Sequence, residues 1–306
     1  TQYRAIIDRY LSREALTPYV TTFEQIARQL VDELPRGEPV DAVHDIGAVF
    51  AVRAQCAWLG WPAQLEPELL AWMSANHRAT RSGEHEQMAQ VAETFDAIIR
   101  SVIAPRRAAG DQAPDDVTTQ LCRDRIHDRL LSEAELVSIL RNWTGGDLGS
   151  IALCVGVIVE YLVRHPDYAR HLRIASDAEV EAAIDEILRL DNPFISNRRI
   201  TTCPVNIGGQ NIPSGATVKL NWTSANRDEN VFNHNTFDPV AHAKNNLVYG
   251  IGKHVCPGRL LATWQLRIAT RALLAGASSL SFAESQSLER ETAPVVGFHK
   301  VRVILS

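Results

Sequence analysis

The chain has 306 residues, 45% of them hydrophobic and 22% charged, with a formal net charge of −5. That length can bury a core in one large domain or two ordinary ones, and the composition is that of a soluble globular chain, not a disordered or fibrous one. The acidic balance offers no general basic surface, so nucleic acid is a poor partner on electrostatic grounds.

The N-terminal TQYRAIIDRYLS has scattered charges and lacks both the apolar run and the small-residue cleavage site of a secretory signal, so a cytoplasmic location is expected. Apolar residues at three- and four-residue spacing predict helices over 2–10, 15–34, 41–59, 65–78 and 84–108. The polar AAGDQAPDD at 108–116 reads as a surface loop. Ser132-Glu-Ala-Glu135 has the form of a capping box, and the pattern behind it predicts the longest helix, about 133–164, stopped by His165-Pro166. The apolar stretch from Ile151 to Val163 is interrupted by Glu160 and too short to cross a bilayer unaided, so no membrane anchor is expected.

Further on, a helix is predicted over 177–190 and a hairpin over VNIGGQNIPSGATVKLNW. A long aperiodic loop follows over 223–248, then a helix from about 257 to 275 and a terminal hairpin near 294–305. No internal repeat is present. The five cysteines, Cys56, Cys122, Cys154, Cys203 and Cys256, are odd in number and far apart, with no CxxC pair to indicate zinc or a disulfide framework.

One cysteine has a distinctive setting, Tyr249-Gly-Ile-Gly-Lys-His-Val-Cys-Pro-Gly258. Gly250 and Gly252 permit a tight turn, and Gly258 lets the next helix begin beside a flat cofactor. A cysteine at a helix N-terminus faces backbone N–H groups that stabilise thiolate. This stretch resembles the heme-binding loop of cytochromes P450, with Tyr249 where that family usually has Phe. Glu186-Ile-Leu-Arg189 resembles the family's ExxR pair, which anchors the loop before the heme cysteine. The third partner of that network is usually an arginine shortly before a Phe; here Thr236 precedes Phe237, with His234 nearby.

The resemblance implies a mainly α fold with small β-sheets, a single heme domain over 1–306 that starts inside what looks like the family's C helix. Residues 1–34 are then expected to lack a packing partner, leaving an open distal side or an exposed apolar patch. It also implies heme b, with Cys256 as axial ligand to iron and Arg199, His254 and Arg4 toward the propionates, whose burial needs cationic or donor partners.

In the long helix, Trp143-Thr-Gly-Gly-Asp-Leu-Gly149 falls where the family carries its Gly-x-Asp/Glu-Thr signature. Glycines inside a helix cost about 1 kcal/mol each relative to Ala, so Gly145 and Gly146 suggest a close approach to the backbone. Asp147 matches the family's acidic proton relay, but Leu148 stands at the alcohol position and donates no hydrogen bond. Thr144, Ser150, a water or a substrate hydroxyl is expected to substitute, or peroxide is used directly. Pocket walls are expected from Ile139, Trp143 and Gly146, from Phe194 and Ile195, and from Val296 and Phe298.

The activity so implied is oxygen insertion from dioxygen into a small organic substrate, with electrons from a ferredoxin or a flavoprotein reductase. The alternatives are a peroxide-driven peroxygenase or peroxidase, and a non-catalytic heme-thiolate binder or sensor.

Overall fold

The computed structural model describes residues 2–232, 236–283, 288–292 and 296–306. Helices α1 (Gln2–Tyr10) and α2 (Arg13–Leu16) lead through a 3-10 turn into α3 (Val20–Glu33). The helix expected over 15–34 is therefore broken. Pro18 sits in the 3-10 turn Thr17–Tyr19, where its missing N–H is tolerated, and a new helix starts behind it. Strand β1 (Pro39–Asp41) and a π-helical segment, Ala42–Ala48, precede α4 (Val49–Leu59), so only the second half of the expected 41–59 helix is α-helical. Then follow α5 (Glu66–Ser82), α6 (His85–Ala109) and α7 (Val117–Arg123), the last of these unforeseen.

Strands β2 (Arg125–Ile126) and β3 (Arg129–Leu130) form a two-stranded ribbon ahead of α8 (Glu133–Arg164). The capping box is formed as expected: Ser132 accepts from the Glu135 N–H, and Glu135 accepts from the Ser132 N–H. His165 ends α8, but Pro166 opens a further helix, α9 (Pro166–Ile174), because proline is welcome in a first turn. Helix α10 (Asp177–Leu190) carries a second capping box at Ser176 and Glu179.

The hairpin region is two structures. Strands β4 (Ser196–Ile200) and β7 (Thr217–Asn221) pair with each other, while β5 (Val205–Ile207) and β6 (Gln210–Ile212) form a separate hairpin between them. A single helical turn, α11 (Trp222–Ala225), opens the otherwise irregular 223–248 segment. The chain ends in α12 (Arg259–Gly276), β8 (Leu280–Phe282), β9 (Leu288–Arg290) and β10 (Phe298–Leu305). The terminal hairpin expected near 294–305 is instead one strand there, β10, which pairs with β9 from outside that range, with β8, and with β1 from the other end of the chain.

Helix α8 is the axis of the molecule. By length and composition it is apolar enough to cross a membrane, yet Leu136, Leu140, Leu148, Ala152 and Val159 are all buried within the protein. Its middle lies against the π-helical segment, and α4, α10 and α12 pack around it. Residues 2–34 do not show the expected apolar patch. Ile6, Tyr10, Leu16, Phe23, Leu30 and Val31 are buried, and α3 packs on α12.

At Gly47 the core brings backbone directly against backbone. A Cβ there would stand 2.8 Å from Ala152 Cα and 2.9 Å from its carbonyl oxygen, both backbone atoms of α8. Gly47→Ala therefore forces two helices apart and is expected to destabilise by about 1–3 kcal/mol, lowering the urea midpoint without changing the slope. An unchanged midpoint would show that the two segments can separate freely.

Candidate active site

The loop that ends in Cys256 is closed by its own backbone. The Cys256 N–H donates to Tyr249 O at 2.8 Å, Val255 N–H to Gly252 O at 3.0 Å, and Gly250 N–H to Leu247 O at 2.9 Å. Gly250 and Gly252 have φ of +71° and +69°, the left-handed region that side chains resist, so the turn needs both. Gly258 is not left-handed; a Cβ on it would lie 3.9 Å from Cys256 Sγ, beside the sulfur. The Arg259 guanidinium lies 5.4 Å from the centre of the Tyr249 ring, which ties the loop to the first turn of α12.

The thiol itself departs from expectation. Burial pushes the Cys256 pKa up, and the Gly258 N–H and the charges of Arg4 and Arg259 offset this only in part. In the protein alone the helix end does not win over desolvation. Metal coordination deprotonates a thiol outright, so a bound cation would supply what these groups lack.

A buried clamp holds this loop. Arg189 and Glu186, exposed by 0% and 2%, make two 2.8 Å bonds to each other. Arg189 also donates to Asn226 O at 2.7 Å and to Thr236 O at 2.9 Å, and its guanidinium lies 4.5 Å from the Phe232 ring centre. Glu186 Oε1 accepts from the Asp238 N–H at 2.9 Å and from His242 Nδ1 at 2.7 Å. The Asn226 side chain then accepts from the Leu247 N–H, reaching the loop that leads to Cys256.

His242 was not foreseen. It lies 56 residues from Glu186 in sequence, and only its position in the aperiodic stretch, five residues after Phe237, could have drawn attention to it. Thr236 contributes its carbonyl rather than a cation. Phe237 stacks on Tyr161 at 5.3 Å, and His234 lies outside the described residues.

A cavity of about 560 Å³ lies between α8 and the start of α12, lined on one side by Trp143, Gly145, Gly146, Asp147 and Ser150 and on the other by Cys256, Gly258 and Leu261. Phe194, Ile195, Arg199 and His254 complete the expected residues brought to it, together with Tyr249 and Gly250. A Cβ on Gly146 would meet nothing within 4 Å, so this position is open to the cavity.

Burial pushes the Asp147 carboxyl up to about 7; Gln265 offsets part of this, although no bond of normal length joins them and Asp147 Oδ2 has no partner among the described residues. Arg4 does not line the cavity. It grips the loop from α1, donating to Val255 O at 3.0 Å while paired with Asp8 at 2.6 Å.

Four further expected residues are not brought there either. Thr144 of α8 is fully buried in the core, with Gln55 Nε2 at 3.5 Å, and does not line the cavity. Ile139 and Phe298 are core residues, the latter covered by Arg290 at 3.9 Å. Val296 lines a neighbouring outer pocket instead. Of the two α8 hydroxyls expected to replace an alcohol at 148, Ser150 reaches the cavity and Thr144 does not.

The Cys256 sulfur faces a glycine-opened helix across this cavity, with the Arg199 guanidinium and the His254 imidazole on its lining, a donor set that suits a thiolate-ligated heme site. A profile of the cytochrome P450 family matches residues 179–292. The linalool 8-monooxygenase of Pseudomonas putida is 28% identical over 277 residues, covering 89% of this chain and 67% of that enzyme. The 6-deoxyerythronolide B hydroxylase of Saccharopolyspora erythraea is 31% identical over 271 residues, covering 88% of this chain and 65% of the relative. In fold, ligand-free cytochrome P450 TbtJ1 superposes with a TM-score of 0.89 at 24% identity, covering 100% of this chain and 81% of that one.

The chain belongs to the cytochrome P450 family, and it spans about two thirds of the length of the two curated relatives named. The family's cofactor is heme b, and the sulfur donor, the open Gly146 and the Arg199 and His254 side chains fit it.

The His242 bond makes a direct prediction. His242→Ala removes one of the bonds to a carboxylate that is 98% buried, at an expected cost of about 1–3 kcal/mol. Thermal unfolding should shift down and heme should be lost faster on gel filtration; an unchanged Tm would show that Arg189 alone suffices.

Proposed function

We propose that residues 1–306 act as one heme domain that inserts an oxygen atom from dioxygen into a small organic substrate, with electrons supplied by a ferredoxin or a flavoprotein reductase. The single observation that carries this reading is that the Cys256 sulfur and the Asp147 carboxyl line one cavity from opposite sides. Thiolate-ligated heme, when bound, supplies the oxygen-activating chemistry.

The chain's own residues provide the rest. The clamp at Glu186 and Arg189 fixes the loop carrying the sulfur, while Arg199 and His254 stand at the cavity rim as donors for the propionates. Burial pushes the Asp147 carboxyl up to about 7, which brings its titration close to neutral pH, so it can release and recapture a proton at its carboxyl oxygen. Ser150, one helical turn beyond Gly146, is the α8 hydroxyl placed to pass that proton on. Trp143, Phe194 and Ile195 shield the site from water and hold the apolar part of a substrate. Cysteine ligation, a buried core helix and a net charge of −5 fit a cytoplasmic setting.

Leu148 supports a second reading. It is 0% exposed, and its side chain is part of the core, so the position that usually carries an alcohol offers no proton. Hydrogen peroxide brings its own protons and electrons, and a peroxide-driven enzyme needs less from this helix. Turnover with peroxide compared with turnover with NAD(P)H and a redox partner separates the two; failure with peroxide removes the second reading.

Two outcomes are expected for substitutions. Cys256→Ala should abolish the red-shifted reduced-CO absorption band, and retention of that band would refute sulfur ligation. Asp147→Asn should lower coupled turnover by roughly 10- to 100-fold, toward the lower end of general acid–base effects.

Asp147 also predicts a pH signature. Its folded pKa is raised to about 7 from an ordinary 3.8, so the fold disfavours the charged form. Stability is therefore full below about 4 and falls as pH rises toward 7. In the heme-free protein, Asp147→Asn should leave Tm unchanged near pH 4 and raise it at pH 8. Equal Tm at both would show that the carboxylate is well solvated.

A further inference from the structure

Helix α5 presents two unlike surfaces. Leu69, Trp72 and Met73 are buried, with Trp72 stacked on Phe95 at 3.8 Å and its Nε1 donating to Val91 O. Asn76, His77 and Thr80 instead line the central cavity. Their spacing of four and three puts them on one face. All three are half-buried, and no side-chain hydrogen bond joins them to other described residues. Ser150 of α8 is a further hydroxyl on the same cavity.

This wall is held in place. A Cβ on Gly149 would stand 3.3 Å from His77 Nε2, so glycine is what lets the imidazole rest against α8. One turn further along α5, Arg81 donates to Glu291 at 2.8 Å, with His299 Nδ1 at 3.3 Å, which pins the end of the helix to the C-terminal strands.

The nearby Arg81 and Glu291 are paired with each other at 2.8 Å, and burial lowers the His77 pKa, which favours its neutral imidazole. A neutral imidazole, an amide and a hydroxyl each donate and accept. The wall therefore has no net charge to attract an ion, while its hydrogen-bonding groups resist being covered by a hydrocarbon, which would strip their water without replacing it.

We propose that the substrate of this cavity is an uncharged molecule with several hydroxyl or carbonyl oxygens on an apolar frame, its oxygens bonded by Asn76, His77 and Thr80. This rests on the oxygenase reading of the cavity. The apolar frame lies against Trp143, Phe194 and Ile195, and the oxygens face α5, so the wall decides which end of the molecule points away from Cys256.

The test uses two graded series, decalin, decalol and decalindiol, and menthane, menthol and menthanediol, titrated into the heme-loaded protein. Affinity is read by spin-state change and, separately, by calorimetry. Affinity should rise roughly three- to tenfold with each hydroxyl. Asn76→Leu and Thr80→Val should each flatten the gradient by about one step, and the triple variant with His77→Leu should reverse it. Affinity that falls with each hydroxyl, absence of binding by every compound, or a gradient that survives these substitutions overturns the proposal. If the triple variant does not fold, the two single variants decide. The reduced-CO spectrum reports on sulfur ligation alone, so its failure condemns the oxygenase reading, while calorimetry reads the hydroxyl gradient independently of heme.

Discussion

The Glu186–Arg189 pair is the constraint on which the rest of this structure depends. Removing two charges from water costs several kcal/mol per ion, and their mutual attraction recovers that only if the remaining donors and acceptors are also satisfied. Here they are. Asn226 and Thr236 carbonyls take Arg189 donors, and the Asp238 N–H and His242 take the Glu186 oxygen. Each partner comes from the 223–248 segment, so satisfying the pair determines the path of a stretch that has little regular structure. The described parts of a loop with no apolar periodicity are thereby anchored at Asn226, Thr236, Asp238 and His242, on the way to Gly250 and Cys256.

Helix α8 faces a different conflict, since it must be apolar enough to form the core and open enough to border a cavity. The sequence resolves this by angular position. Leu148, Ala152 and Thr144 turn into the protein, whereas Trp143, Gly146, Asp147 and Ser150 turn toward the cavity. The glycines serve different neighbours. Gly146 is open to the cavity, Gly149 admits His77 and Gly156 admits Val43, whereas a Cβ on Gly145 would meet Phe95 and Trp72 at ordinary contact distance. The cost of four glycines in one helix is thus spread over packing as well as over the site, which corrects the simpler expectation that glycines in this stretch serve only a ligand.

Much of the site was legible because its information is local. The Cys256 loop needs two left-handed residues and a following helix within ten positions, and all are adjacent in sequence. The capping box at Ser132 and the ion pair within α10 are local in the same way. What was not legible is what depends on a distant partner. His242 acquires meaning only when folded against Glu186, and β10 becomes a central strand only when β1 arrives from residues 39–41. Thr144 is an intermediate case: three residues from Asp147, it lies only about 60° away around the helix, so periodicity groups the two, and it is the packing against Gln55 that turns this hydroxyl into the core.

The raised pKa of Cys256 links the clamp to the cofactor. Burial favours the neutral thiol, so the loop is assembled by backbone bonds and by the clamp, neither of which needs the thiolate. A loop built in this way does not need the thiolate for its own bonds. If the Cys256 sulfur binds the heme iron as proposed, its proton would be released on binding, and heme uptake would depend on pH through this residue. Arg4, which donates to the Val255 carbonyl, acts on the sulfur without lining the cavity. A positive charge one residue from the thiol lowers the cost of the thiolate, while the same arm fastens α1 to the loop.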